Sequence, residues 1–166
     1  MTTTTTTTAA AGPKVGDRAP DFTVKTTDGT LFTLSQATKA DHVVVAFFPA
    51  AFTSVCTKEM CTFTERLGEL QSKHAKFIGV SGDSHFTQKA WAEKNGIKTL
   101  LGSDYNHEVT PKYGVNYALW KEFYKGTAKR SVFVVDKQGV VRFKWVTEDP
   151  TVEPNYDEVQ KVVAGL

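Results

Sequence analysis

Cysteine is scarce in this chain, with two in 166 residues, and no stretch of about 18 apolar residues is present. Two cysteines cannot build a disulfide scaffold, and a core of this size does not need one, so their spacing matters more than their number. Excess charge is also small: 20 Lys and Arg stand against 18 Asp and Glu, interspersed along the chain, for a net charge of +2. Such a balance creates no basic stripe for a phosphate backbone, and nucleic acid is not expected as a partner. The N-terminus lacks the cationic start and apolar run of a secretion signal. A membrane span and export by that route are not expected, and a cytoplasmic protein is. Neither an internal repeat nor a glycine-rich phosphate loop stands out.

What is present is ordinary globular composition after a biased start. Residues 1–12, MTTTTTTTAAAG, have no periodicity and almost nothing to bury, so a disordered tail is expected there. Residues 13–166 then read as one α/β domain. Phe22 and Val24 alternate with polar neighbours before Asp28-Gly29, and Leu31 and Phe32 resume after it, which predicts a hairpin. The run HVVVAFF over residues 42–48 is continuous β-branched and aromatic sequence, as expected of a central strand covered on both faces, and it stops at Pro49. From Cys56 the apolar spacing becomes helical, with Met60, Phe63, Leu67 and Leu70 on one face and Thr53 and Ser54 offering capping hydroxyls. A buried strand over 76–82 follows, then a helix over 84–95 ended by Gly96, with Phe86, Ala90 and Trp91 as its apolar side. A short strand near 99–101, a helix around 107–113, the strand SVFVVD, a turn at 137–139, the strand VVRFKWV and a helix over about 155–164 complete a layered α/β pattern. Ligands are expected at the carboxyl ends of the central strands.

The chemistry-bearing residues fall at such an end. Cys56 opens the first long helix, where unsatisfied N–H groups and the positive end of the helix dipole favour thiolate over thiol. A small buried hydrophobe is the competing reading of a free cysteine. Cys61 lies about 140° around the helix from Cys56 and away from the Met60 stripe, so a chemical role suits it better than packing. A zinc site is not favoured, because ten residues lie between His74 and His85, where paired ligands need about three to five. His42 and His107 read as surface or capping residues, and Trp91, Trp120, Trp145, Tyr117 and Tyr124 as core or rim. On the residues alone, a nucleophilic thiol, a general thiol–disulfide oxidoreductase and a non-catalytic binding module all remain open, although the missing C-x-x-C speaks against the second.

The pattern P-x-x-x-T-x-x-C, present as Pro49, Thr53 and Cys56, together with the Arg130 that opens RSVFVVD, resembles the active-site signature of the peroxiredoxins. The segment VGDRAPDF over residues 15–22 is similar to that family's N-terminal segment. CTKEMC, from Cys56 to Cys61, resembles the bacterioferritin-comigratory (Q-type) group, whose second cysteine lies five residues after the first. Ser54-Val55 departs from the Pro-Gly frequent there, and the FTSVC run is also similar to the E-type alkyl hydroperoxide reductases. The resemblance implies a thioredoxin-like fold, with a central mixed β-sheet flanked by helices and an N-terminal β-hairpin. It implies a peroxidatic Cys56, a resolving Cys61 that closes a Cys56–Cys61 disulfide, and Thr53, Pro49 and Arg130 cradling the sulfur and the peroxide. Glu59 matches a family glutamate that orients the arginine; a solvated residue favoured by the helix dipole is the plainer reading. Hydrogen peroxide or an alkyl hydroperoxide would be the substrate and a thioredoxin-like or glutaredoxin-like protein the reductant. No metal, haem or flavin is implied, and the family resemblance allows a monomer or a homodimer.

Overall fold

The run 42–48 becomes the centre of the molecule. In the computed structural model, which describes residues 11–166, β3 (His42–Phe47) is buried along its whole length. Its side chains alternate between two cores: Val43, Val45 and Phe47 join Phe22, Ile78, Tyr113 and Phe133 on one face. Val44, Ala46 and Phe48 join Met60, Phe63, Trp91 and Val159 on the other. A strand covered on both faces has no need of polar alternation, which is why this run has none. The expected tail falls mostly on residues 1–10, outside the described residues; Gly12 already packs closely, since a β-carbon there would overlap the carbonyl of Tyr113.

The remaining elements follow in chain order. The hairpin comprises β1 (Thr23–Thr26) and β2 (Leu31–Thr33), with Val24 opposite Phe32 and Gly29 turning at φ +83°. After α1 (Leu34–Ala37) and β3 come α2 (Ser54–Ser72), β4 (Ala75–Ser81), α3 (His85–Asn95) and β5 (Leu100–Ser103). Then α4 (Val109–Lys112), β6 (Ser131–Val135), β7 (Val141–Val146) and α5 (Tyr156–Ala164) close the chain. The strands form one mixed sheet in the order β2-β1-β5-β4-β3-β6-β7, in which β3, β4 and β5 run parallel and β6 and β1 pair antiparallel with their neighbours. Both central parallel strands deliver their carboxyl ends to one edge, where the loops after β3 and β4 meet. The Asp83 carboxylate joins those loops, accepting from the Ala51 N–H at 2.8 Å and the Ser81 hydroxyl at 2.6 Å. No helix among the described residues is long and apolar enough to cross a membrane.

Three local expectations are corrected. Phe86 is 74% exposed and Ala90 is exposed, while Gln88 and Trp91 are buried. Residues three apart share a helix face, and the Gln88 amide nitrogen donates within the core to Ser81 Oγ and the Gly102 carbonyl, both at 2.9 Å, while its Oε1 has no hydrogen-bond partner among the described residues. His42 is buried rather than a surface or capping residue, and burial pushes its imidazole below the usual histidine range. Thr53 occupies the N-cap position of α2, yet its hydroxyl donates to the Ala50 carbonyl at 2.6 Å instead of capping.

The turn before α4 depends on one buried acid. Asp104 accepts the N–H groups of Glu108, Val109 and Thr110 within 3.0 Å, and the Thr110 hydroxyl as well. We expect Asp104→Ala to destabilise the fold by about 3 kcal/mol, because three buried donors lose their acceptor. Phe86→Ala should shift stability by under about 0.5 kcal/mol, since that ring is exposed. Urea denaturation of the two variants checks the contrast.

Candidate active site

The chain leaves β3 through Phe48, whose N–H donates to the Val80 carbonyl at 3.0 Å, and Pro49 then ends the pairing. A tight turn follows, with Phe52 in the left-handed region at φ +64°, and it delivers Thr53 in extended conformation to the start of α2. The Thr53 carbonyl accepts from the Thr57 N–H at 3.0 Å and the Thr57 hydroxyl at 2.7 Å. Trp91 Nε1 of α3 donates to that hydroxyl at 3.0 Å, so a buried indole from the next helix holds the first turn. Cys56 is the third residue of the helix and 1% exposed, in the first turn, whose N–H groups have no intrahelical partner.

Arg130 enters from the residue before β6. Its Nη2 lies 3.4 Å from Cys56 Sγ, and its Nε and Nη2 donate to the Pro150 carbonyl at 3.1 and 2.8 Å. Nη1 stands 3.4 Å from Glu59 Oε1, with both side chains essentially excluded from solvent. Glu59 is therefore not a solvated residue of the first turns; one helical turn after Cys56, it faces the same guanidinium. Burial pushes its carboxyl up to about 8, against the downward pull of Arg130 and with a smaller upward push from Glu153. Neither Glu59 oxygen has a hydrogen-bond partner among the described residues, whereas Glu153 is held by Lys58 at 2.9 Å and by the Tyr156 hydroxyl at 2.7 Å. The fixed positive charge thus sits between two groups able to be anions.

Pro49, Thr53, Cys56 and Arg130 come together around a cavity of about 140 Å³, completed by Ser54, Val55, Trp120, Lys121, Pro150 and Thr151. Cys61 does not line it. It is half-buried on α2 against the helix-side core, with Sγ 3.7 Å from the Asn95 carbonyl, and both cysteines are free thiols. Residues five apart in a regular helix have Cα atoms about 8.7 Å apart, beyond the about 6.8 Å that a disulfide tolerates. Sequence reasoning missed Pro150, because a backbone carbonyl leaves no residue-type signal, and the Asp83 clamp, because an acid in a loop looks like any other. Trp120 was read only as core or rim; a run of five aromatics over residues 113–124 was the available hint.

The AhpC/TSA family model matches residues 15–144. Among curated relatives, the chain is 34% identical over 152 residues to "Peroxiredoxin Q, chloroplastic" of Populus jackii, covering 91% of this chain and 68% of that protein. It is 35% identical over 131 residues to "Alkyl hydroperoxide reductase E" of Mycobacterium tuberculosis (strain ATCC 25618 / H37Rv), covering 78% of this chain and 82% of the relative. Among solved structures, a peroxiredoxin-like protein from Aquifex aeolicus superposes with a TM-score of 0.85 at 33% identity, over 95% of this chain and 90% of that one. Peroxidoxin BcpB from Mycobacterium tuberculosis superposes at 0.81 with 29% identity, over 92% and 97%. The fold is thioredoxin-like, as in these peroxiredoxins, and the chain belongs to the AhpC/TSA family of peroxiredoxins as a peroxidase similar to the Q-type and E-type members.

Proposed function

We propose that Cys56 is the peroxidatic nucleophile of a thiol peroxidase acting on hydrogen peroxide and organic hydroperoxides, and that Cys61 resolves it within the same chain. The observation that carries this reading is the 3.4 Å approach of Arg130 Nη2 to Cys56 Sγ at a helix N-terminus. A fixed charge and free N–H groups there stabilise a thiolate and the negative charge that develops on a departing oxygen. The thiolate attacks the terminal peroxide oxygen: the S–O bond forms, the O–O bond breaks, and the leaving oxygen takes a proton to depart as water or alcohol. Arg130 and the N–H groups of Val55 and Cys56 face that oxygen. Pro49, without an N–H, covers the sulfur without competing. The Thr53 hydroxyl, which donates to Ala50 in the resting state, is close enough in sequence and cavity to turn toward the peroxide. Glu59 positions Arg130.

The Cys61 thiolate then attacks the Cys56 sulfenic acid, and the hydroxyl leaves with a proton as water. A thioredoxin-like or glutaredoxin-like dithiol supplies the two electrons that reopen the disulfide, in a cytoplasm that keeps such thiols reduced. Because both cysteines lie within α2, the disulfide requires roughly its first one or two turns to unwind, lifting Met60 and Phe63 from the core. The helix start suits this, since its first N–H groups lose no intrahelical partner and no proline interrupts it.

Cys56→Ser should abolish peroxide consumption, whereas Cys61→Ser should react once and recycle poorly with a dithiol protein. Steady turnover by the first variant would sink the assignment, and full turnover by the second would leave a one-cysteine mechanism. Arg130→Ala should slow single-turnover oxidation about a hundredfold, the scale for removing one preorganised charge-stabilising donor. Arg130→Lys should not fully restore it, because a point charge cannot reproduce the planar fork. Hydrogen exchange should be faster over residues 53–63 in the disulfide form than in the reduced form; equal protection would contradict the unwinding. The raised Glu59 carboxyl also gives a signed prediction. Between its ordinary value of 4.5 and about 8, the folded protein holds a proton that the unfolded chain has released, so stability falls as pH rises through that window. Glu59→Gln should flatten that slope, as denaturation at a series of pH values would read.

A further inference from the structure

The helix that opens in the proposed resolving step is tied along one side to its neighbour. Thr57, Cys61 and Thr64 are spaced four and then three residues apart, so they share one face of α2. Each of them meets α3 or the turn that follows it. Trp91 Nε1 donates to the Thr57 hydroxyl at 3.0 Å, Cys61 Sγ stands 3.7 Å from the Asn95 carbonyl, and the Lys98 N–H donates to the Thr64 hydroxyl at 3.1 Å. One more tie runs alongside, where the Thr99 hydroxyl meets Met60 Sδ at 3.9 Å. A polar seam thus borders the apolar core that contains Met60, Phe63 and Trp91.

Trp91 is the strongest of these ties. Its side chain is fully buried, with the ring 5.2 Å from that of Phe48, and a buried donor that loses its acceptor is costly. The acceptor, the Thr57 hydroxyl, itself donates to the Thr53 carbonyl at 2.7 Å, so one threonine carries the hold of α3 to the residue that begins α2. The far end of α3 is fixed as well: Asn95 Nδ2 donates to the Trp91 carbonyl at 2.9 Å, and Gly96 ends the helix in the left-handed region at φ +66°. A single neighbouring helix therefore grips α2 next to Cys56 and also faces the Cys61 thiol. Thr57 and Cys61 lie in the turns that the disulfide unwinds, whereas Thr64 lies beyond them.

We propose that Trp91 and Thr57 are positioning residues for the resolving step: they latch the start of α2 to α3, and Cys61 leaves the Asn95 carbonyl to reach Cys56 only when that latch opens. The inference rests on the proposed roles of Cys56 and Cys61. In that step the Cys61 thiolate attacks the sulfur of the Cys56 sulfenic acid, the S–S bond forms, the S–O bond breaks, and the hydroxyl departs with a proton as water. Peroxide meets the closed helix, so the latch acts on this second reaction and sets how long the sulfenic acid persists.

The test separates the two reactions in reduced protein mixed with hydrogen peroxide, trapping the sulfenic acid with dimedone at intervals and resolving it from the disulfide by mass spectrometry. Trp91→Phe keeps a ring beside Phe48 and removes only the donor; its disulfide should form about fivefold faster from the sulfenic acid than in the wild type, the scale of one buried hydrogen bond. Thr57→Val should accelerate that step at least as much, and Thr57→Ser, which keeps the hydroxyl, should match the wild type. In the unsubstituted protein, hydrogen exchange over residues 91–98 should quicken when the disulfide forms. Equal disulfide rates in the wild type, Trp91→Phe and Thr57→Val overturn the inference while leaving the roles of both cysteines standing. So does a Thr57→Ser variant as fast as Thr57→Val, or unchanged exchange over residues 91–98. A sulfenic acid that never yields the Cys56–Cys61 disulfide overturns the resolving role and this inference with it, and the absence of any sulfenic acid overturns the peroxidase reading itself.

Discussion

A guanidinium at 1% exposure needs compensation for its lost hydration, and at Arg130 that compensation comes from three sides: the Pro150 carbonyl, Glu59 and Cys56. Because burial raises the Glu59 carboxyl toward neutrality, the single fixed charge is not consumed by its nearest acid. In the proposed reaction it is available to the sulfur. Two full anions against one cation in a dry site would leave an uncompensated charge, so Glu59 and Cys56 compete for the same partner. In the proposed reaction peroxide enters through the cavity at the open side of that arrangement.

The rest of the fold is arranged to hold these groups in register. Arg130 precedes β6, which pairs with β3, and β3 leads into the loop of Pro49 and Thr53. The cation and the sulfur are therefore set from neighbouring strands rather than from flexible segments. Trp91 fixes the first turn of α2 from the side of α3, and Asp83 ties the loop after β3 to the loop after β4. The same helix must nevertheless open if Cys61 is to reach Cys56, so the site combines rigid strands with a helix start that has few backbone bonds to lose.

Much of this was legible in the sequence where a local rule dominated. The continuous apolar run 42–48 and the Asp28-Gly29 hairpin followed from burial on both faces and from turn chemistry. Pro49, Thr53, Cys56 and Arg130 were found because their residue types carry the family likeness, and they do meet around one cavity. Glu59 was ambiguous, since an acid near a helix start is equally at home in water; only the tertiary packing of α2 against the sheet decides its burial. Gln88 was missed because a polar residue takes a core position only when partners from other strands await it, and no window of sequence shows those partners. Pro150 contributes through its carbonyl, which residue identity does not report.

The claim that one buried charge is left for the sulfur is tested most directly by the protonation of Glu59. Carbon-13 NMR of glutamate-labelled reduced protein, with Glu59→Gln identifying the resonance, should show its carboxyl titrating near pH 8. A midpoint near the ordinary value of 4.5 would mean that Arg130 is fully paired with an ionised Glu59, and would contradict the account.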